Sequence, residues 1–245
     1  MIELARVLYG SQNYGLDGPD SDMDYKVVLC PEFSELYEGR MCKRNEGEHL
    51  TGIDVRRLHG LLMNGNPNAV ELLYSVEAQV QDEDFGRYLD CARMMYQGGY
   101  VAAVWRTFYG ALYGMAMAGI DHNVVTPKTV ARAFYMLEMA KWIGKNGFAI
   151  DEATYRGVAP AFHRLARNIR FGHDLQTKEA VLHGIAEDVR RGFAEWKAAL
   201  QNRADAACEG EDWKRVIVGM DEVARAIVMK RAHGEIVRRC DVGSM

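Results

Sequence analysis

The chain of 245 residues has a formal net charge of −4 and is 49% hydrophobic, as expected of a folded protein with one large or two small domains. Its five cysteines, at positions 30, 42, 91, 208 and 240, include no Cys-x-x-Cys pair, which argues against a zinc site or a disulfide framework. The first residues lack the charged and then apolar pattern of a signal peptide, so we expect a reducing, cytoplasmic location.

The first predicted elements are two short apolar strands separated by a polar loop. Residues 7–9 form the first strand and end at Gly10-Ser11, whereas residues 25–29 form the second strand directly after Asp22 and Asp24. Alternate side chains of a strand point to the same face, so both carboxylates are expected to project together. Two carboxylates held this close repel each other unless a cation lies between them, and the pattern therefore predicts a metal site.

The glycine and the serine before the loop predict a phosphate site beside that metal. Gly10 allows the backbone to turn tightly and to approach a ligand, while the hydroxyl of Ser11 and the neighbouring N–H groups can hold a phosphate. The joint placement of this turn and the two acids between apolar strands is much more informative than either motif alone.

The segment from Gly10 to Leu29, GSQNYGLDGPDSDMDYKVVL, resembles the signature of the nucleotidyltransferase superfamily that includes DNA polymerase beta. With Asn66-Pro67-Asn68 and Glu71-Leu72-Leu73, it is similar to a bacterial and phage branch related to the YcgL-type proteins, over about residues 7–75. The resemblance implies transfer of a nucleoside monophosphate from a nucleoside triphosphate to a hydroxyl acceptor, with release of pyrophosphate. It also implies two Mg²⁺ ions, or Mn²⁺, that Asp22 and Asp24 bind or bridge.

A third carboxylate on a neighbouring strand is implied by the same resemblance, and Asp54 is the candidate. It follows Leu50 and Ile53 in a short apolar segment that is expected to form a strand before a helix begins near residue 58. Asp54 would serve the metal of the nucleophile or act as general base. Glu46 and Glu48 lie close in sequence and remain alternatives.

From about residue 84 onward the apolar residues recur at helical spacing, and we expect almost no strand. Segment 97–120 contains Arg106 as its only charge, but glycines and tyrosines interrupt it, so a buried helix is expected and no membrane partner. The predicted fold class is α+β: a small mixed-sheet nucleotidyltransferase lobe at 1–80, followed by an all-helical lobe at 81–245.

Positive charge is needed to neutralise a triphosphate that the metals only partly balance. The sequence Thr126-Pro127 predicts a capped helix start, where a phosphate can be met, and this favours Lys128 and Arg132 as nucleotide-binding residues. Further candidates are Lys26, Arg56, Arg164, Arg167 and Arg170.

The acceptor stays open among an RNA 3′ end, a protein side chain and a small molecule. Seven basic residues against three acids between 213 and 239 give slight support to RNA as a partner. Two other functions also stay open. Arg167 and His173 fit the spacing of HEPN-type ribonucleases, and a catalytically inactive nucleotide-binding module would share the same fold.

Overall fold

The computed structural model describes residues 1–19, 21–46, 49–118, 120–121, 125–156, 160–172, 179–209 and 213–242. Side chains are described throughout these ranges except at 45–46, 156, 160–162 and 235–242.

A five-stranded mixed sheet forms the N-terminal part of the protein. Its strands are β1 (Ile2–Tyr9), β2 (Asp24–Cys30), β3 (Asn45–Glu46), β4 (Leu50–Asp54) and β5 (Ala78–Val80), in the spatial order β3-β4-β2-β1-β5. β1 pairs with β2 and β5 in antiparallel fashion, β3 with β4 likewise, and β2 with β4 in parallel. The predicted pair of strands around the polar loop is therefore confirmed as the centre of the sheet.

Helices connect the strands of the sheet, and after the last strand they make up most of the described chain. The first are α1 (Phe33–Tyr37), α2 (Val55–Met63), α3 (Pro67–Leu73), α4 (Glu83–Gln97) and α5 (Trp105–Met117). They are followed by α6 (Pro127–Lys145), α7 (Glu152–Arg156), α8 (Pro160–Phe171), α9 (Glu179–Ala207) and α10 (Trp213–Val242). No strand occurs after Val80 in the described ranges, so the α+β class is confirmed.

The central helix of the C-terminal part is α6, which packs against α5, α8 and α9. Its start is formed as predicted: the hydroxyl of Thr126 accepts the N–H of Thr129, and the hydroxyl of Thr129 accepts the N–H of Thr126 in return. Pro127 occupies the first turn, where its missing N–H costs nothing. This cap fixes where α6 begins beside the sheet.

One continuous hydrophobic core extends from β1 to α10. It contains residues such as Leu4 of the sheet, Phe108 of α5, Leu137 of α6 and Ile227 of α10. The division of the chain at residue 80 stays a prediction, because this core contains residues from both sides of it. Within the described ranges, no helix has the length and apolar character needed to cross a membrane.

Candidate active site

The Gly-Ser turn lies at the end of β1 and has an unusual backbone conformation. Gly10 has φ of +87°, which a residue with a side chain adopts only under strain, and residues 10–12 form one turn of 3-10 helix. The N–H of Gly10 donates to Oε1 of Glu71 on α3 at 2.7 Å. A buried carboxylate from another element therefore holds the turn in place.

Glu71 accepts three hydrogen bonds at this turn. Besides Gly10, its oxygens accept from the side-chain amide of Asn13 at 3.0 Å and from the hydroxyl of Tyr14 at 2.7 Å. The residue is only 1% exposed, and burial raises the pKa of its carboxyl above the ordinary range while the three hydrogen bonds act in the opposite direction. The motif Asn66-Pro67-Asn68 fixes the approach of this side chain: Asn66 caps α3 and Asn68 accepts from the hydroxyl of Tyr9 at 2.7 Å.

Asp24 lies against the same turn. It is the first residue of β2 and pairs directly with Tyr9, the last residue of β1. A Cβ placed on Gly10 would lie 3.7 Å from Oδ2 of Asp24, so the turn and the carboxylate share one site. Asp22 is exposed and lies two residues before the strand begins.

The neighbouring strand brings a histidine, rather than a carboxylate, to Asp24. Because Tyr25 pairs with Leu50 in the parallel register, His49 lies beside Asp24. Nδ1 of His49 is 3.1 Å from Oδ1 of Asp24, and both side chains are about half exposed. Sequence reasoning missed His49; the parallel pairing of β4 with β2 is the signal that identifies it, and this pairing is not local.

The structure does not bring Asp54, the predicted third carboxylate, to Asp24. Asp54 pairs with Leu29, near the other end of β2 from Asp24. The two positions on β2 are five residues apart, which corresponds to roughly 16 Å at the rise of a strand. Its side chain is buried and caps α2, accepting from the N–H of Arg56 and of Cys42 at 2.9 Å each. A bidentate ion pair with the guanidinium of Arg56 completes the set.

The electrostatics of Asp54 agree with a structural role. Burial alone would raise the pKa of its carboxyl, but the hydrogen bonds from Arg56 and Cys42 outweigh burial and hold the pKa below its ordinary range. The guanidinium of Arg56, a sequence candidate for phosphate binding, is therefore engaged by the carboxylate of Asp54. Of the alternative acids, Glu48 and the side chain of Glu46 lie outside the described residues.

A cavity of about 230 Å³ joins the turn, Asp24 and the helical part of the protein. It is lined by Tyr9, Gly10, Ser11, Tyr14, Leu16, Asp24, Glu71, Lys128, Arg132 and Arg170. The structure thus brings Lys128 and Arg132, one turn apart on α6, into the same cavity as the Gly-Ser turn. Arg170 of α8 is the third cation.

Lys26 lies beside the cavity and follows Asp24 on the same face of β2. Its ammonium group is 3.5 Å from the centre of the Tyr9 ring, a cation–π contact. Burial lowers the pKa of Lys26 to about 8, and the nearby carboxylate of Glu71 opposes this decrease. Lys26 therefore adds positive charge next to the turn at neutral pH.

The polar groups on α8 engage the loop between Ser11 and Asp22. Arg167, one of the two residues of the ribonuclease alternative, donates from Nη1 to the carbonyl oxygens of Gly15 and Asp17 at 2.7 and 3.1 Å. His173, its expected partner, lies outside the described residues. No observation in the described part of the chain favours the ribonuclease.

Metal ligation depends on few residues here. The described residues contain no group of three or more His, Cys, Asp or Glu side chains arranged to hold a metal ion. Asp24 and the exposed Asp22 nevertheless offer carboxylates, and Mg²⁺ is commonly bound by one or two carboxylates, waters and the phosphates of the substrate.

Three features meet at one cavity: a strand that ends in a Gly-Ser turn, a second strand that starts at an aspartate, and a helix that carries cations. Together they are typical of a nucleotidyltransferase of the DNA polymerase beta superfamily. Residues 4–142 match the model of the RNA repair pathway DNA polymerase beta family, and the chain belongs to this family. No curated protein and no solved structure matches the chain. The resemblance to the superfamily is confirmed, whereas the narrower resemblance to the YcgL-type branch stays a prediction.

Proposed function

We propose that this protein transfers a nucleoside monophosphate from a nucleoside triphosphate to a hydroxyl acceptor and releases pyrophosphate. One observation carries the proposal: the Gly-Ser turn, Asp24 and the cations Lys128 and Arg132 line a single cavity. A turn that exposes backbone to a phosphate, a carboxylate for a metal and positive charge for a triphosphate are the parts that this reaction requires.

Each residue has a distinct task in this proposal. The backbone at Gly10 approaches the phosphates closely because no side chain intervenes, and the hydroxyl of Ser11 donates to a phosphate oxygen. Lys128 and Arg132 neutralise the negative charge of the triphosphate. Asp24 and Asp22 would hold two Mg²⁺ ions, or Mn²⁺, which supply charge stabilisation and an activated acceptor hydroxyl when bound.

Attack on the α-phosphate breaks the bond to the β-phosphate oxygen, and pyrophosphate departs with the electron pair. The proton of the acceptor hydroxyl passes to solvent water as the new phosphoester bond forms. The chain contributes mainly position and charge, because Asp24, which would hold a metal, and the cations of α6 line the same cavity.

We further propose that the acceptor is an RNA 3′ end. The support is the family to which the chain belongs, which is described by a role in RNA repair. The basic residues of α10 give less support to RNA binding than their number indicates, because two of them are engaged within the protein. Lys230 and Arg231 form ion pairs with Asp84 and Asp82 at the start of α4.

The proposal is tested by incubating the purified chain with each of the four α-labelled nucleoside triphosphates, Mg²⁺ or Mn²⁺, cellular RNA and cellular protein. Label in RNA is the expected result, while label in protein or in a small molecule would replace RNA as the acceptor. The matched control combines Asp22→Asn and Asp24→Asn, which are expected to abolish transfer without loss of fold because Asp22 is exposed and the side chain of Asp24 is about half exposed. Transfer by this double variant would refute the mechanism.

Absence of transfer with every nucleotide, metal and acceptor would leave the inactive binding module as the better description. Measured affinity for a nucleoside triphosphate would then separate such a module from a protein with no nucleotide function.

A further inference from the structure

Helix α8 lies outside the segment that matches the family, yet its side chains hold the loop between β1 and β2. The guanidinium of Arg167 donates to the carbonyl oxygens of Gly15 and Asp17 at 2.7 and 3.1 Å. A Cβ on Gly18 would lie 2.8 Å from the ring of Phe171. The backbone of the loop therefore lies directly against the helix.

The end of this loop is held by a serine that contacts α8. Oγ of Ser21 accepts from the N–H of Gly18 at 2.8 Å and from Nη2 of Arg170 at 3.1 Å. The N–H of Ser21 donates in turn to the carbonyl oxygen of Gly18 at 3.0 Å. The guanidinium of Arg170 lies 5.0 Å from the centre of the Phe171 ring, a cation–π contact that favours its orientation. Helix α8 thus fixes the residue directly before Asp22.

The chain is fixed again two residues after Asp22. Asp24 begins β2, and the N–H of Tyr25 donates to the carbonyl oxygen of His49 at 2.8 Å. Only Asp22 and Met23 lie between the two anchors, and both residues are exposed. A segment this short has little freedom when both of its ends are held. The position of Asp22 relative to Asp24 therefore depends on α8.

The side chain of Asp22 does not hold itself in place. In the part of the chain that the structure describes, its carboxylate has no hydrogen bond or ion pair. Two carboxylates that approach one cation repel each other before the cation binds, so the backbone must keep Asp22 close to Asp24. Ligands that surrounding hydrogen bonds keep in place bind a metal more tightly.

We propose that α8 positions Asp22 for the metal, through the hydrogen bond from Arg170 to Ser21. Arg170 and Ser21 are then positioning residues, which act on the metal through the backbone at Asp22. The inference rests on the proposed function, because it assigns two further residues to the metal site of that function.

The test uses the full-length chain and Mn²⁺ alone, with the free ion measured by electron paramagnetic resonance. Ser21→Ala removes the hydroxyl that joins Arg170 to the loop and should weaken Mn²⁺ binding by about tenfold, as for other lost partners of metal ligands. Ser21→Thr keeps a hydroxyl, and its affinity should stay within about threefold of the wild type. Ser34→Ala is the matched control, because it removes a hydroxyl on α1, beyond the far end of β2. It should bind Mn²⁺ like the wild type.

A double-mutant cycle isolates the hydrogen bond from the other contacts of Arg170. Arg170→Gln should also weaken Mn²⁺ binding by about tenfold or more. Because Ser21→Ala removes the same bond, the loss in the double variant should be well below the product of the two single losses. Arg190→Gln, at an exposed ion pair on α9, is the control for loss of a guanidinium and should bind Mn²⁺ like the wild type.

A loss of stability is separated from a loss of position by two further measurements. Urea unfolding establishes that each variant is folded, and Ser21→Ala decides alone if Arg170→Gln is not. In the folded Ser21→Ala, the Mg²⁺ concentration for half-maximal transfer should rise by about tenfold, while the maximal rate approaches that of the wild type. A merely structural defect would not shift the metal requirement in this way.

Wild-type affinity for Mn²⁺ in the folded Ser21→Ala would overturn the inference, as would single losses that multiply fully in the double variant. Failure of the wild type to bind Mn²⁺ would overturn it as well. The proposed function fails separately. A chain that binds Mn²⁺ through this arrangement but labels no acceptor refutes the transferase and retains the positioning role. A chain that labels RNA with unaltered Mn²⁺ affinity in Ser21→Ala refutes only the inference.

Discussion

Glu71 and Gly10 are 61 positions apart in sequence and are joined by a 2.7 Å hydrogen bond from the backbone N–H of the glycine to the carboxylate. This contact couples α3 to the end of β1, so the geometry of the Gly-Ser turn depends on a residue of another element. Backbone N–H groups at a turn with positive φ lack partners in regular structure, and a buried acceptor is required to satisfy one of them.

Replacing Glu71 by Ala should lower the free energy of unfolding by about 2–4 kcal/mol, because the N–H of Gly10, the amide of Asn13 and the hydroxyl of Tyr14 lose a buried acceptor. Urea unfolding followed by circular dichroism measures the change. Glu83→Ala, which removes an exposed partner of Arg87, is the control and should change stability by no more than about 0.5 kcal/mol. Equal effects of the two substitutions would contradict the role given to Glu71.

Asp54→Asn should destabilise the protein by about 2–3 kcal/mol and leave nucleotide transfer unimpaired in the folded fraction. The reason is that Asp54 stabilises the start of α2 and the ion pair with Arg56 at the far edge of the sheet. Asp90→Asn, at an exposed ion pair with Arg93, is the control for stability. Loss of transfer by a folded Asp54→Asn would restore Asp54 to the site.

The carboxyl of Asp54 should also make the free energy of unfolding depend on pH. Its pKa in the folded chain lies below the ordinary value of 3.8, so its contribution is fully present above that value and is lost as the pH falls through the lower pKa of the folded state. The stability difference between wild type and Asp54→Asn should therefore shrink on acidification below about pH 4. Urea unfolding at several pH values measures it, and a difference independent of pH would refute the assignment.

The sequence predicted the central strands, the Gly-Ser turn and the capped start of α6 because each is encoded by neighbouring residues. Short runs of apolar residues define β1 and β2, and Thr126-Pro127 defines a helix start wherever the helix packs. These local signals also led to Lys128, since a residue in the first turn of a helix beside the sheet can reach a phosphate.

Asp54 was misplaced because its position depends on a register between distant strands. The local pattern predicts a strand that ends in an acid, but only the parallel pairing of Tyr25 with Leu50 shows that this acid lies at the edge away from Asp24. The same pairing places His49 beside Asp24. The short strand β5 was also missed, because its residues are exposed and form a strand only by pairing with the edge of β1.

Arg231 should act in stability and not in RNA binding. Its guanidinium pairs with Asp82, which is 4% exposed and also caps α4 by accepting the N–H of Phe85 at 2.9 Å. Arg231→Ala leaves that carboxylate without its cation and should cost about 1–3 kcal/mol, measured by thermal unfolding. Lys230→Ala, at the more exposed pair with Asp84, should cost less, because solvent screens an exposed ion pair. A folded Arg231→Ala with normal stability and reduced affinity for labelled RNA would reverse this interpretation.

His49 should influence which metal the site prefers. An imidazole beside Asp24, with 3.1 Å between Nδ1 and Oδ1, suits Mn²⁺ better than Mg²⁺, because Mg²⁺ favours oxygen ligands. His49→Asp should therefore raise transfer with Mg²⁺ relative to Mn²⁺, while His49→Ala should weaken Mn²⁺ binding by about tenfold, measured from the electron paramagnetic resonance signal of the free ion. His183→Ala removes an exposed histidine on α9 and should bind Mn²⁺ like the wild type. Unchanged Mn²⁺ affinity in His49→Ala would show that the histidine only accompanies Asp24, and Asp22 would then be the remaining described neighbour able to complete the metal site.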